Sequence, residues 1–178
     1  CGRDVVALML EAADTAAALR RFLTTKLQYC AVGASPALGI YFALMTEFFL
    51  RFGLAAPPRR FRQGIQLRSL ASRRTVGALK FLFTTPSGNS AHHFESSIKL
   101  FVLEEEAQPH ELDRYVGPNL AETLQMRVSL ARRKISLAAS AEVKAFAERS
   151  FPSLSGRGGE VDSCWCLRGW LFYHWQRR

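Results

Sequence analysis

Apolar residues recur at helical spacing through much of this chain. Over residues 4–30, Val5, Leu8, Ala12, Leu19, Phe22, Leu23 and Leu27 share one side, behind Asp4 as N-cap. Glu11 and Asp14 precede Arg20, Arg21 and Lys26, the charge order that a helix dipole favours. Ser35-Pro36 then offers a capping hydroxyl with proline at the first helical position, and Pro57-Pro58 offers a stop. Between them lies an apolar run, 36–56, of 21 residues. As a helix it would be about 31 Å long, against a hydrocarbon core of about 30 Å. Glu47 and Arg51 interrupt it, and their i,i+4 spacing with the acid first makes an intrahelical ion pair. Ala31, Ser35, Gly39 and Ala43, spaced by four, make a helix-packing stripe flat enough for a second helix to approach. The pattern predicts a helix at 36–56 that either spans a membrane or is buried in protein, and its length and small-residue stripe favour the membrane.

Residues 59–74, RRFRQGIQLRSLASRR, read as a short basic helix with a thin apolar edge of Phe61, Ile65 and Leu70. The runs 76–85 and 96–103 flank TPSGNS, where Pro86, Gly88 and Asn89 are turn residues. A short hairpin over 76–103 fits, as do two short helices; weak alternation and abundant Leu and Ala favour the helices. Gly117-Pro118 opens a long amphipathic helix at 119–149, with Leu120, Leu124, Val128, Ala131, Ile135 and Ala138 on one side and Arg132, Arg133 and Lys134 on the other. Phe151-Pro152 ends it. The fold class expected is therefore mostly α: one helical domain over 1–150, then a polar loop and an aromatic docking tail over 151–178. In that tail Trp165, Trp170, Phe172, Tyr173 and Trp175 crowd together, as at lipid–water boundaries and protein interfaces.

Charge changes this picture most. The formal net charge is +9 over 178 residues. From Leu50 to Phe94 there is no acidic residue, while Arg51, Arg59, Arg60, Arg62, Arg68, Arg73, Arg74 and Lys80 are all present. Such a segment seeks phosphate, anionic lipid or an acidic protein. The 48% apolar content fits a chain that folds. Four cysteines, Cys1, Cys30, Cys164 and Cys166, are too few and too uneven for a disulfide framework. A chain opening on Cys1 reads as processed or as a fragment. Asp4 opens a helical pattern at once, without the polar tether that follows a lipidated cysteine.

Candidate chemistry is thin. Cys164, Cys166 and His174 supply three soft ligands where a closed zinc site needs four. His92, His93 and Glu95 lack the HExxH spacing and a third ligand. No glycine-rich phosphate loop, GxSxG, CxxC or carboxylate pair is present. The sequence thus assigns no catalytic, cofactor-binding or metal residue and no cofactor. An enzyme built on His92, His93 and Glu95 ranks last. The expectation is a non-catalytic accessory subunit of a mitochondrial inner-membrane complex, of respiratory-chain or ATP-synthase type. Its partners would be other subunits and anionic lipid such as cardiolipin. Arg59, Arg60, Arg62, Arg68, Arg73 and Arg74 would make the lipid or acidic-partner contact and face the matrix. The alternative is an organellar ribosomal or other RNA-binding protein that uses the arginine-rich 51–80 segment.

Overall fold

The computed structural model describes residues 15–27, 37–53, 60–85, 90–154 and 160–174. Their centre is a mixed five-stranded sheet rather than a helical bundle. Strands β1 (Phe61–Arg68) and β2 (Thr75–Thr84) form an antiparallel hairpin, with Phe61 opposite Phe83 and Ile65 opposite Leu79. Strand β3 (Ala91–Leu103) returns antiparallel to β2 but pairs with it only from Ala91 to Phe94. The short β4 (Tyr115–Val116) pairs with the far end of β3 at Val102 and Leu103. After a helical crossover, β5 (Val161–Phe172) runs parallel to β3 from Ala91 to Val102. A parallel neighbour needs such a crossover, and helices α3 (Leu124–Ala138) and α4 (Ala141–Ser150) provide it. Before the sheet come α1 (Thr15–Leu27), α2 (Leu38–Phe48) and a π-helical turn at Phe49–Gly53.

Helices cover both faces of the sheet. Neighbouring residues on a strand point to opposite faces, and β2 is buried both ways. Leu82 packs with Val143, Ala147 and Phe151 from the α4 region, while Phe81 and Phe83 pack with Phe61 and Leu50 from the π-turn. A third cluster, Phe101, Leu103, Tyr115 and Leu124, seats the start of α3 on β3 and β4. Close approach of β5 to β3 depends on Gly169. Its φ is +146°, and a Cβ there would lie 1.6 Å from the Lys99 carbonyl oxygen.

This architecture corrects the mostly α expectation. The 59–74 segment is strand β1 and its turn, because Ile65 and Leu67 are buried while Gln66 and Arg68 are exposed, a period of two. The 76–103 region is a hairpin of two long strands. The 119–149 helix is two helices. Thr123 caps the first, its hydroxyl accepting from the Met126 amide at 3.3 Å, and Ser140 caps the second, accepting from the Val143 amide at 3.4 Å. The tail is the fifth strand.

The membrane-spanning expectation is also corrected. Among the described residues no helix is long and apolar enough to cross a membrane. Regular α-helix ends at Phe48, where the π-turn begins, and the helix lies on β3. Glu47, 1% exposed, faces Lys26 of α1 at 3.1 Å and Arg51 at 2.9 Å. Phe22 of α1 packs on Phe48 and Phe52 at ring distances of 5.5 and 6.0 Å. Phe48 and Leu50 at the end of the apolar run therefore serve a protein core, while Leu38, Ile40 and Tyr41 stay exposed, and the membrane-complex expectation loses the spanning helix it was built on.

A cationic cleft where the sheet splits

Strand β5 occupies one edge of β3 along its length, so β2 and β4 must share the other. They leave the stretch from Glu95 to Phe101 on that edge without a strand. There the sheet opens, and α3 passes over the opening. The result is a cleft of about 290 Å³ lined by Lys80, Glu95, Ser96, Ser97, Arg127, Leu130, Ala131, Lys134 and Trp165.

Glu95 makes the split possible. Where β2 and β3 would form their next pair, its carboxylate takes over the ladder, and Oε1 accepts from the Lys80 backbone amide at 2.7 Å. The same oxygen lies 3.2 Å from His93 Nε2, and Oε2 accepts from Lys134 Nζ at 2.7 Å. His93 is itself fixed by Ser163 of β5, with Nδ1 and Oγ 2.6 Å apart. A carboxylate only accepts, so a ring hydrogen sits on Nε2, and Nδ1 meets the Ser163 hydroxyl. Lys80 donates across the gap to the Ser96 carbonyl at 2.6 Å. Both oxygens of Glu95 are thus committed to holding the cleft together.

Burial alone would push the Glu95 carboxyl up. The hydrogen bonds from His93 and Lys134, the Lys134 charge and the Lys80 amide outweigh it and hold the group below its ordinary range. Lys80 moves down as well, through burial first, opposed by Glu95 and reinforced by the charges of Lys134 and Arg127. Three cations therefore face one carboxylate. Arg127 is held from behind by an ion pair to Glu122, which Lys99 of β3 also grips at 2.6 Å. Burial raises Glu122, while Lys99 and Arg127 pull it further down. Trp165 closes one wall, beside Glu95 in the β3–β5 register. A pocket with surplus positive charge and an aromatic wall is suited to an anion carrying a flat group.

The structure scatters the arginines singled out from the sequence. Arg60 donates to the Thr85 carbonyl at 3.2 Å. Arg62 donates to the Ser150 carbonyl at 3.2 Å and lies over the Phe151 ring at 5.4 Å. Arg68, Arg73 and Arg74 stand exposed at the β1–β2 turn, where Arg73 takes φ +57° and its amide donates to the Ser69 carbonyl. Arg51 pairs with Glu47 and lies over Phe61. Gly39 of the packing stripe is exposed with open space beside it, and Ala43 is half-buried. Of the tail aromatics, Trp165 lines the cleft, Trp170, Phe172 and Tyr173 are exposed on or just past β5, and the Tyr173 hydroxyl lies 3.2 Å from that of Tyr115. Arg59, Ala31, Ser35, Trp175, Cys1 and Cys30 lie outside the described residues.

His92 and His93 part company, since adjacent strand residues face opposite sides. His92 sits between Ser90 Oγ at 3.4 Å and Asp162 at 3.5 Å, over Phe83. The trio lists the residue types of a hydrolase triad, but the separations are long and none of its members lines the cleft. Cys164 and Cys166 are free thiols on β5, and among the described residues no group of His, Cys, Asp or Glu could hold a metal ion. Arg127 was missed by sequence reasoning. Lys80 had a legible signal, a lone cation in the middle of an apolar strand.

No curated protein and no solved structure matches the chain. One family model does, over residues 4–178. The chain therefore belongs to the DUF1853 family, described as a domain of unknown function.

Proposed function

We propose that this protein binds nucleic acid, and that the cleft between β2 and β3 takes a backbone phosphate. The observation that carries this reading is the charge imbalance of the cleft: Glu95 is the one carboxylate in its lining, Glu122 grips Arg127 from behind, and these two carboxylates answer four cations, Lys80, Lys99, Arg127 and Lys134. A phosphate there would gain charge-assisted hydrogen bonds and offset the burial, and then the Lys134 and Arg127 charges, that pull Lys80 down. Arg68, Arg73 and Arg74 at the exposed hairpin turn, and the exposed Arg132 and Arg133 beside Lys134, extend the positive surface along a polymer. The role of the cleft is binding. Its single carboxylate is spent on internal contacts and is not placed to act as a base. This keeps the RNA-binding alternative read from the sequence, with Lys80 and the hairpin arginines as its working part.

Fluorescence anisotropy with labelled single-stranded RNA, single-stranded DNA and duplex tests it. Affinity should fall steeply between about 50 and 200 mM salt. Lys80→Ala and Arg127→Ala should each weaken binding about tenfold and flatten the salt slope by about one. No binding at low salt, or binding indifferent to both substitutions, would overturn the proposal.

A further inference from the structure

The outer edge of β5 pairs with no strand among the described residues, yet it is long and carries two free thiols. An open edge presents backbone donors and acceptors to any matching strand. We propose that β5 pairs antiparallel with β5 of a second copy, about a two-fold axis at Trp165, joining the two sheets into one. The side chains choose this partner and this register. In such a pair residue i faces residue j of the other chain, and j faces i in return. With Trp165 at the axis, Asp162 lies opposite Arg168 of the second copy, Cys164 opposite its Cys166, and Val161 opposite its Gly169.

The charge match is specific to a dimer. Within one strand Asp162 and Arg168 are about 20 Å apart and cannot meet. Among the described residues Arg168 has no ion pair, and Asp162, with its side chain 63% exposed, approaches the His92 ring at 3.5 Å. Moving the axis by one residue sets Asp162 opposite Trp170 and loses both ion pairs. Gly169, at φ +146°, marks where the edge leaves regular strand geometry, so Val161 to Arg168 is the straight segment available for pairing. The two-fold axis runs through the sheet, which puts both clefts on the same face of the joined sheet.

Sedimentation velocity on the full chain across a concentration series should show a monomer–dimer equilibrium. Mild oxidation with diamide, which takes two electrons and two protons from each thiol pair, should cross-link the dimer, and peptide mapping should find Cys164 joined to Cys166 of the other chain. Asp162→Arg and Arg168→Asp should each weaken the dimer about tenfold, and the double substitution should restore it. Both positions are exposed, and circular dichroism would confirm that each variant is folded. A monomer at all concentrations, like-to-like cross-links alone, or a double variant no better than the single ones would overturn the proposal.

Discussion

Two buried carboxylates in this protein, Glu47 and Glu95, are each held by cations, and they do different work. Glu47 belongs to the N-terminal helical layer in which Phe22, Phe48 and Phe52 pack together, and both its ionic contacts come from side chains of that layer. Those contacts are close approaches of charge to a single oxygen, Oε1, without an aligned hydrogen bond. Lys26 and Arg51 remain 38% and 30% exposed, so water shares their charge. Glu95 instead holds a backbone amide, a fully buried histidine and a lysine, and it borders a cleft with more cations than it can neutralise. The two cations at Glu47 turn their surplus charge to water, whereas the surplus around Glu95 lines a cleft and leaves a site.

The sharpest way to break this comparison is to delete each carboxylate. Glu95→Ala leaves the Lys80 amide and buried His93 without their acceptor, and should cost about 3–5 kcal/mol. Glu47→Ala lets Lys26 and Arg51 turn to water and should cost about 1–2 kcal/mol. Urea denaturation of the two variants measures both. Equal losses would mean that Glu95 is no more tightly tied to its partners than Glu47.

A smaller effect separates site from scaffold. Lys80→Ala should weaken nucleic-acid binding about tenfold, equivalent to about 1.4 kcal/mol, whereas Arg51→Ala, made in the Glu47 cluster, should leave it within about twofold. Parallel losses in anisotropy titrations would assign binding to overall charge rather than to the cleft.

Much of this contrast was legible only in fragments. Glu47 and Arg51 announce themselves because a helix brings i and i+4 together locally. Nothing local joins Lys80 to Glu95 or Lys134, since strand pairing and a helical crossover do that. The fold was misread for a related reason. A strand buried on both faces, such as β2, loses its alternation and looks like a helix core. Strand β1 did alternate at Ile65 and Leu67, but its arginines suggested a basic helix. The aromatic tail looked like a docking segment because the exposed Trp170 and Phe172 and the sheet-bound Trp165 are indistinguishable in sequence.

Acid should expose the Glu95 network next. Its carboxyl is held below the ordinary value of 4.5 in the folded state, so its stabilisation is fully present above that value and is lost as pH falls through the folded one. Glu122 contributes with the same sign. Between about pH 5 and pH 3 the wild type should lose melting temperature more steeply than Glu95→Gln, which has no charge to lose. Identical slopes would show that the carboxyl titrates as it would in an unfolded chain.

The smallest effect is also the most diagnostic, because stability and binding should move in opposite directions. Lys80 is held below its ordinary 10.5 by burial and by the neighbouring Lys134 and Arg127 charges. As pH rises towards 10.5, the folded state gives up this proton while the unfolded state still holds it. The unfolded state then binds more protons, and stability gains from this group with pH. Binding loses over the same range, because the neutral amine no longer attracts phosphate. From about pH 8 to about pH 10 the wild type should lose roughly threefold more affinity than Lys80→Arg, whose guanidinium stays charged. Thermal melts over the same range should show the wild type gaining on that variant. If affinity and stability instead fall together in both proteins, Lys80 is not the group that meets the anion. The cleft would then be a second scaffold of the Glu47 kind.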